Sequence, residues 1–413
     1  MGNAATIDKH SELAKKHDHM PSGDNISECL TCGACSTRCS WFDGQLEGHK
    51  GPLPRQIVRM SALGLDHALV ESNMLWDCLL CNRCTEVCPM GITMDVVVRK
   101  ARSLDIAADR ISHDMKKGIE TRLELGDVNG LTKEEFVETV EWVSEEFADD
   151  MEDPAAEIAY NKEGAKFLYL PNPRELGLNL LHLSAMAKLF YAMKETWTLS
   201  SFHTDVTNWG YFVGKDDIAR KMALMVVEPA EELGIETLVL SECGHGYHVL
   251  KKGLEALIGR KPKFNVTSIP ELALEYARKG VLKFDPSVHP FPVAYHDPCN
   301  LARKTGVYDA PRELLGLCCE KVVELTPNRE DAICCGGGGG MLQDSTSTKT
   351  RMVTGKPKAD QMRAAGVENV ATACLSCHRQ LGELSKHFDL GIKVDTVAAM
   401  ASAALILDKP VIE

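Results

Sequence analysis

The chain has 413 residues, 44% hydrophobic and 25% charged, with 59 acidic against 46 basic side chains and a net charge of -13. This length allows two to three domains with real cores, and the acidic balance argues against a nucleic-acid surface. The longest apolar run, Val397 to Leu407, is too short for a membrane span and contains Ser402, and Met1 to Ile7 lack the charged and apolar regions of a signal peptide.

Sixteen cysteines are present, and twelve of them fall in C-x-x-C style groups or in the pair Cys334-Cys335. Without a secretory signal such thiols read as metal ligands rather than as a disulfide framework. The expectation is a cytoplasmic iron-sulfur protein, peripheral on the inner face of a membrane only through a partner.

Residues 1–26 are polar, without periodicity, and read as a flexible lead-in whose His10, His17 and His19 are too sparse for a metal site. Cys29, Cys32, Cys35 and Cys39 then form one C-x2-C-x2-C-x3-C run, and Cys78, Cys81, Cys84 and Cys88 form a second, followed by Pro89. This is the spacing of two-cluster bacterial ferredoxins, in which the fourth cysteine of each run ligates the other cluster. On that rule one [4Fe-4S] cubane takes Cys29, Cys32, Cys35 and Cys88, and the other takes Cys78, Cys81, Cys84 and Cys39. Ser40 rather than proline follows Cys39, so no ring fixes the turn there.

Between the runs, Ile57, Met60 and Leu63 recur at helical spacing, and Leu65, Ala68 and Leu69 keep a spacing that a helix can use. Helices inserted there resemble the α-helical ferredoxin module of the C-type heterodisulfide reductase subunit and of succinate dehydrogenase iron-sulfur subunits. The ferredoxin domain is expected over 27–125, with Arg55 on its surface. A helical pattern from Asp95 to Ala108 is expected to continue through Lys116-Lys117. Residues 134–157 hold 11 acidic side chains and no Lys or Arg, while Phe136, Val140, Val143 and Phe147 recur on one face. This part of the 126–160 linker is expected to turn a solvated acidic face outward at a domain junction; a docking face for a basic partner is the alternative.

Residues 161–285 look like a worn copy of 286–413. Lys166 to Pro171 stands where Phe291 to Tyr295 leads to Cys299, Asn208-Trp209-Gly210 where Cys334-Cys335-Gly336 stands, and Cys243-Gly244-His245-Gly246 where Cys374 to Cys377 stands. Helices are expected at Ala219–Leu233 and Pro357–Ala365. The fold class is α+β: an N-terminal α-helical ferredoxin module followed by a duplicated Rossmann-like α/β pair. Cys243 is expected to be a lone thiol, and Cys318-Cys319 to be core residues.

The intact copy carries Cys299, Cys334, Cys335, Cys374 and Cys377 in the frame C-x34-C-C-x38-C-x2-C, with five glycines after Cys335. Adjacent thiols can reach two irons, and Gly336, Gly337 and Gly338 would let the backbone approach an inorganic core. The frame resembles the cysteine-rich CCG domain of heterodisulfide reductases and of related sulfite-reduction and hydroxyacid-oxidation complexes. The resemblance is strongest to architectures that fuse the C-type and B-type subunits into one chain. These are the D-type heterodisulfide reductase subunit and the cytoplasmic iron-sulfur subunit of sulfite-reduction-associated membrane complexes.

That resemblance implies a noncubane [4Fe-4S] cluster on the five cysteines, reducing a disulfide or trisulfide reversibly with electrons from the two cubanes. His245 and His296 are the candidate proton donors. It also implies partners in a multi-protein redox complex, such as a quinone- or haem-linked membrane subunit or a flavoprotein. The substrate would be a disulfide-bearing small molecule or small protein. Two alternatives remain: an electron-transfer subunit of a respiratory or bifurcating complex, or the iron-sulfur subunit of a flavin-dependent hydroxyacid or glycerol-3-phosphate dehydrogenase.

Overall fold

Short runs rich in Val, Leu, Thr and Tyr build the strands, and their burial suits helix-covered parallel sheets. The computed structural model describes residues 26–43, 53–72, 74–107, 110–202 and 205–407. The expected lead-in, with His10, His17 and His19, lies outside the described residues. The strands are β1 (Phe167–Leu170), β2 (Trp197–Thr198), β3 (Thr237–Leu240), β4 (Asn265–Ser268), β5 (Pro292–His296), β6 (Lys321–Glu324), β7 (Asn369–Thr372) and β8 (Lys393–Thr396). They form two sheets, ordered β2-β1-β3-β4 and β6-β5-β7-β8, with every pairing parallel. The second order repeats the first strand for strand, so the expected duplication is present.

The helices between the strands meet across the two units in reciprocal pairs. Helix Leu180–Met193 packs on Val397–Ala404, helix Asp309–Cys318 packs on Ile269–Arg278, and the two C-terminal helices meet each other. That is the pattern of an internal two-fold axis. Cys318 and Cys319 are buried there in the shared core, as core residues.

The N-terminal module is helical. Helices Pro54–Ala62, Asp66–Val70 and Met94–Ala107 pack on one another around Ile57, Val58, Leu69, Val97 and Val98. Helix Lys133–Met151 begins at a capping box formed by Thr132 and Glu135. It lays Phe136, Val140, Val143 and Phe147 against helix 180–193 and leaves its acidic face outside. Among the described residues no helix is long and apolar enough to cross a membrane.

Two helical expectations change. The helix from Asp95 does not run on through Lys116-Lys117: Met94–Ala107 is followed by a separate helix, His113–Leu125, started by Ser112, whose hydroxyl accepts from the Met115 N–H at 3.3 Å. The helix expected at Pro357 begins at Thr348, and Pro357 lies inside it. Its buried face carries Arg351, Thr354, Lys358 and Gln361 beside Met352 and Met362, so no apolar stripe announces it.

Buried cations join the modules. Arg102, on helix 94–107, is fully buried and donates to the carbonyls of Leu75 (2.7 Å), Cys78 (2.9 Å), Phe212 (3.0 Å) and Gly339 (2.8 Å). One guanidinium thus ties the ferredoxin module to both α/β units. Arg303 donates to the carbonyls of Cys81 and Glu330, each at 2.8 Å, and of Ala332 at 2.5 Å. Lys304 and Asp95 form a buried ion pair at 2.9 Å.

The two units are also pinned by His182. Its Nδ1 lies 3.1 Å from Glu175, and its Nε2 lies 3.2 Å from Glu242 and 3.1 Å from the Thr396 hydroxyl of the other unit. Burial alone would lower the His182 pKa, but Glu175 and then Glu242 outweigh it and raise it to about 10.

Removing the Arg102 fork should leave four buried carbonyls unanswered. Arg102→Ala is expected to lower stability by about 3 kcal/mol or more, read as a fall in the urea midpoint; an unchanged midpoint refutes the bracing role. For His182, the folded pKa lies above the unfolded value of about 6.5. Its contribution is therefore complete below about pH 6.5 and is lost as pH rises through about 10. Unfolding midpoints should fall across that window in the parent and fall less steeply in His182→Gln; parallel slopes would contradict the assignment.

Candidate metal centres

The two cysteine runs fold alike. In the first, Thr31 (φ 54) and Gly33 (φ 85) are left-handed; in the second, Leu80 (φ 49) and Asn82 (φ 60) hold the same positions. A β-branched and a γ-branched residue in that region are costly, and such strain persists where the surroundings over-determine it. Each run then enters a short helix, Ala34–Thr37 or Arg83–Glu86. Asn82 and Asp95 lock the second loop by exchanging hydrogen bonds at 2.8 and 3.0 Å.

The fold gathers the thiols as the exchanged-ligand rule requires. One cavity is edged by Cys29, Cys32, Cys35 and Cys88, the other by Cys39, Cys78, Cys81 and Cys84. Sulfur donors in fours, set in apolar walls, suit iron-sulfur or zinc chemistry. Arg55 is exposed, as expected, yet edges the first cavity.

The third centre lies at the carboxyl ends of β5 and β7. These are the central strands between which the chain reverses its direction of travel across the sheet, where open α/β sheets bind ligands. Cys299 follows β5, and Cys374 caps the helix Leu375–His387 that carries Cys377. Cys334 and Cys335 come from the loop after the turn Arg329–Asp331. All five are buried, and their thiols form one chain of contacts, Cys299 to Cys334 to Cys335 to Cys377 to Cys374. Hydrogen bonds from Cys334, Cys377 and then His296 push the Cys335 thiol well below its ordinary range.

Five buried sulfurs exceed the four of a structural zinc site and fit a polynuclear iron-sulfur group. Cys81 extends the chain: its thiol hydrogen-bonds Cys334, the main reason its pKa falls to about 6. A ferredoxin-type loop and the CCG thiols are therefore in direct contact.

The glycine run is also a place of close protein packing. A Cβ on Gly336 would lie 2.7 Å from Gly355, one on Gly337 2.8 Å from Leu342, and one on Gly338 2.4 Å from the Leu79 carbonyl. One on Gly339, at φ +66, would lie 2.1 Å from the Cys78 carbonyl. The space a side chain would take at these glycines is filled by protein. They admit helix 348–364 on one side and the Cys78-Leu79 loop on the other.

The two histidines differ in where their rings go. His296, 1% exposed, has no oxygen or nitrogen partner among the described residues, and its ring faces Cys335 and Cys377, the three ligand atoms lying within 4.8 Å of one another. His245, expected beside the thiols as a proton donor, is committed elsewhere. Its Nε2 lies 2.9 Å from the Asn208 carbonyl oxygen, its ring stacks on Phe212 at 3.7 Å, and burial lowers its pKa to about 3. A ring held neutral against a backbone carbonyl does not serve as an acid at the five thiols.

The first α/β unit carries other residues at the matching positions. Cys243 caps helix Gly244–His248 as Cys374 caps its own, and burial and then the nearby Cys374 raise its thiol to about 12. Gly246 stands at the place of Cys377, with Val206 2.4 Å from where its Cβ would be. Trp209 packs on Gly118 of helix 113–125, and the Tyr211 carbonyl accepts from Arg99 at 2.6 Å. This end of the first α/β unit grips the helical module, a role that the aromatic residues Trp209 and Tyr211 could have signalled.

Residues 25–92 match the 4Fe-4S dicluster domain family, and residues 293–382 match the CCG cysteine-rich domain. The chain thus carries a stretch similar to a dicluster domain ahead of one similar to a CCG domain, which supports iron-sulfur clusters. It is homologous over most of its length to the D-type heterodisulfide reductase subunit and to Hdr-like iron-sulfur subunits. It is 24% identical over 404 residues to the D-type subunit of the dihydromethanophenazine:CoB--CoM heterodisulfide reductase of Methanosarcina barkeri, covering 92% of this chain and 94% of that one. It is likewise 24% identical to the Hdr-like menaquinol oxidoreductase iron-sulfur subunit of Archaeoglobus profundus, covering 92% and 79%.

If the glycine run serves protein packing, Gly339→Ala should destabilise the whole chain by about 3 kcal/mol or more through overpacking and left-handed strain. Gly366→Ala, at φ +63 with nothing within 4 Å of its Cβ, should cost about 1–2 kcal/mol. Equal shifts in thermal midpoint would refute the distinction.

Proposed function

We propose that this chain is the iron-sulfur subunit of a multi-subunit oxidoreductase that carries electrons from two [4Fe-4S] cubanes to a noncubane [4Fe-4S] cluster on Cys299, Cys334, Cys335, Cys374 and Cys377, where a disulfide is reduced. The observation that carries this reading is the unbroken line of thiols in hydrogen-bond contact, from the half-buried Cys81 through the buried Cys334 to Cys374. Two electrons and two protons convert R–S–S–R′ to RSH and R′SH. A cluster bound there supplies the one-electron steps and an iron for a substrate sulfur.

The surrounding residues have separable tasks in this reading. Arg303 and Arg102 hold the carbonyls of Cys81, Cys78 and Gly339, fixing the distance between the ferredoxin loop and the CCG thiols. The Gly244 N–H donates to the Cys374 sulfur, which steadies its thiolate. His296 is the histidine facing the thiols, and the proposed donor of a hydrogen bond to sulfur. Burial of the five thiols excludes water from the site. Partner subunits, by analogy with the relatives, supply or accept the electrons.

A second reading, electron transfer with no disulfide cleaved, is favoured by one feature. A Cβ on Gly244 would lie 3.2 Å from the Leu301 amide nitrogen and 3.3 Å from the Asn300 side chain, so the two units meet tightly beside Cys374.

Chain purified without oxygen should carry about 12 iron atoms, from three clusters of four. Cys335→Ser should lower this to about 8 and abolish any thiol-dependent oxidised signal while sparing the cubane signals. Zinc in the Cys29 or Cys78 group would end the electron-wire reading. Full iron without turnover of any disulfide in the native complex would decide for the second.

A further inference from the structure

Among the described residues, one buried cation beside the thiols has no salt-bridge partner. Lys358, 1% exposed, sits on helix 348–364 one turn beyond Gly355, the residue pressed against Gly336. Its Nζ donates to the amide oxygen of Gln361, whose own NH2 donates to the Pro327 carbonyl at 2.7 Å. The charged and titratable groups that face it are Cys335, Asp297, Cys334, Cys377 and, from β5, His296.

Asp297 is already engaged. Its carboxylate takes two hydrogen bonds from Arg312, at 2.7 and 2.8 Å, and one from the Arg329 N–H at 2.9 Å. The neighbouring cations are engaged as well, since Lys304 pairs with Asp95 and Arg303 spends its donors on three carbonyls. Among the described residues, then, Lys358 is the cation at this site that faces thiols and no free carboxylate.

An ammonium taken out of water costs several kcal/mol unless a negative charge answers it. Neutral thiols give no answer. Metal-bound thiolates do, because ligation strips their protons, and five of them outweigh the positive charge of a [4Fe-4S] core. We propose that Lys358 is a positioning residue for the third centre, a fixed positive charge that offsets its thiolates and raises its reduction potential. This rests on the reading that the five thiols hold an iron-sulfur cluster. Net charge is one of the levers that set such potentials, and removing a cation must make the added electron less welcome.

The test uses full-length chain purified without oxygen, with Lys358→Met to remove the charge and Lys358→Arg to keep it. Iron per chain and the midpoint potential of each centre are read in an EPR-monitored redox titration. In Lys358→Met with iron retained, the third centre should be at least tenfold harder to reduce, a fall of about 59 mV for one electron. The cubane signals should not move, and Lys358→Arg should recover most of the loss. Loss of the third centre from Lys358→Met but not from Lys358→Arg equally supports the charge role. An unmoved potential at full iron overturns the proposal and leaves the cluster reading standing. Loss from both variants assigns Lys358 to packing and also overturns it. A parent chain with no third centre refutes the cluster reading itself, and is read before any variant is made.

Discussion

The structure depends on how it treats charge out of contact with water. Arg102, Arg303 and Lys304 lie between the ferredoxin module and the α/β units, where an unpaired cation would be prohibitive. Each is satisfied by backbone carbonyls or by a carboxylate, and those carbonyls include the ones of Cys78 and Cys81. Fixing their loop fixes the separation between neighbouring centres. Because guanidinium donors lie in a rigid plane, the geometry is set more tightly than a lysine could set it.

Around the five thiols the same physics runs with opposite sign. Hydrogen bonds among the crowded thiols, with burial, hold the protons of Cys334 and Cys377 tightly while Cys335 and Cys374 are pushed the other way. A site so arranged is poor as five separate thiols and good as a ligand set, since metal binding removes the protons that burial would retain. His296, with no oxygen or nitrogen to bond, fits the same account.

Ligand spacing was legible because ligation is a local demand: three cysteines two residues apart must wrap one metal wherever the loop sits. The alternation of strand and helix was legible for a similar reason, and it gave the duplication. What escaped was anything whose cause lies elsewhere in the chain. Helix 348–364 hides its first half because Arg351 and Thr354 lie on its buried face, so hydropathy registers no apolar stripe there. The glycines after Cys335 read as a cradle for inorganic atoms, yet their tightest neighbours are the Cys78 and Leu79 carbonyls, far upstream. His245 looked aimed at the thiols from its place between two glycines, but Asn208 and Phe212 decide where its ring goes. Ser112 was the local signal overlooked, a capping residue that divides one apparent helix into two.

The internal two-fold axis poses a problem of choice that the worn unit resolves. A pair of equal thiol sites would give the ferredoxin module a pair of equal seats, and a chain free to use either would deliver electrons to alternate ends. Trp209 against Gly118, and the Gly214 backbone pressed on Arg99, make one seat and spoil its mirror image. The asymmetry thus gives the pair a handedness: one unit gathers the thiols while the other holds the helical module.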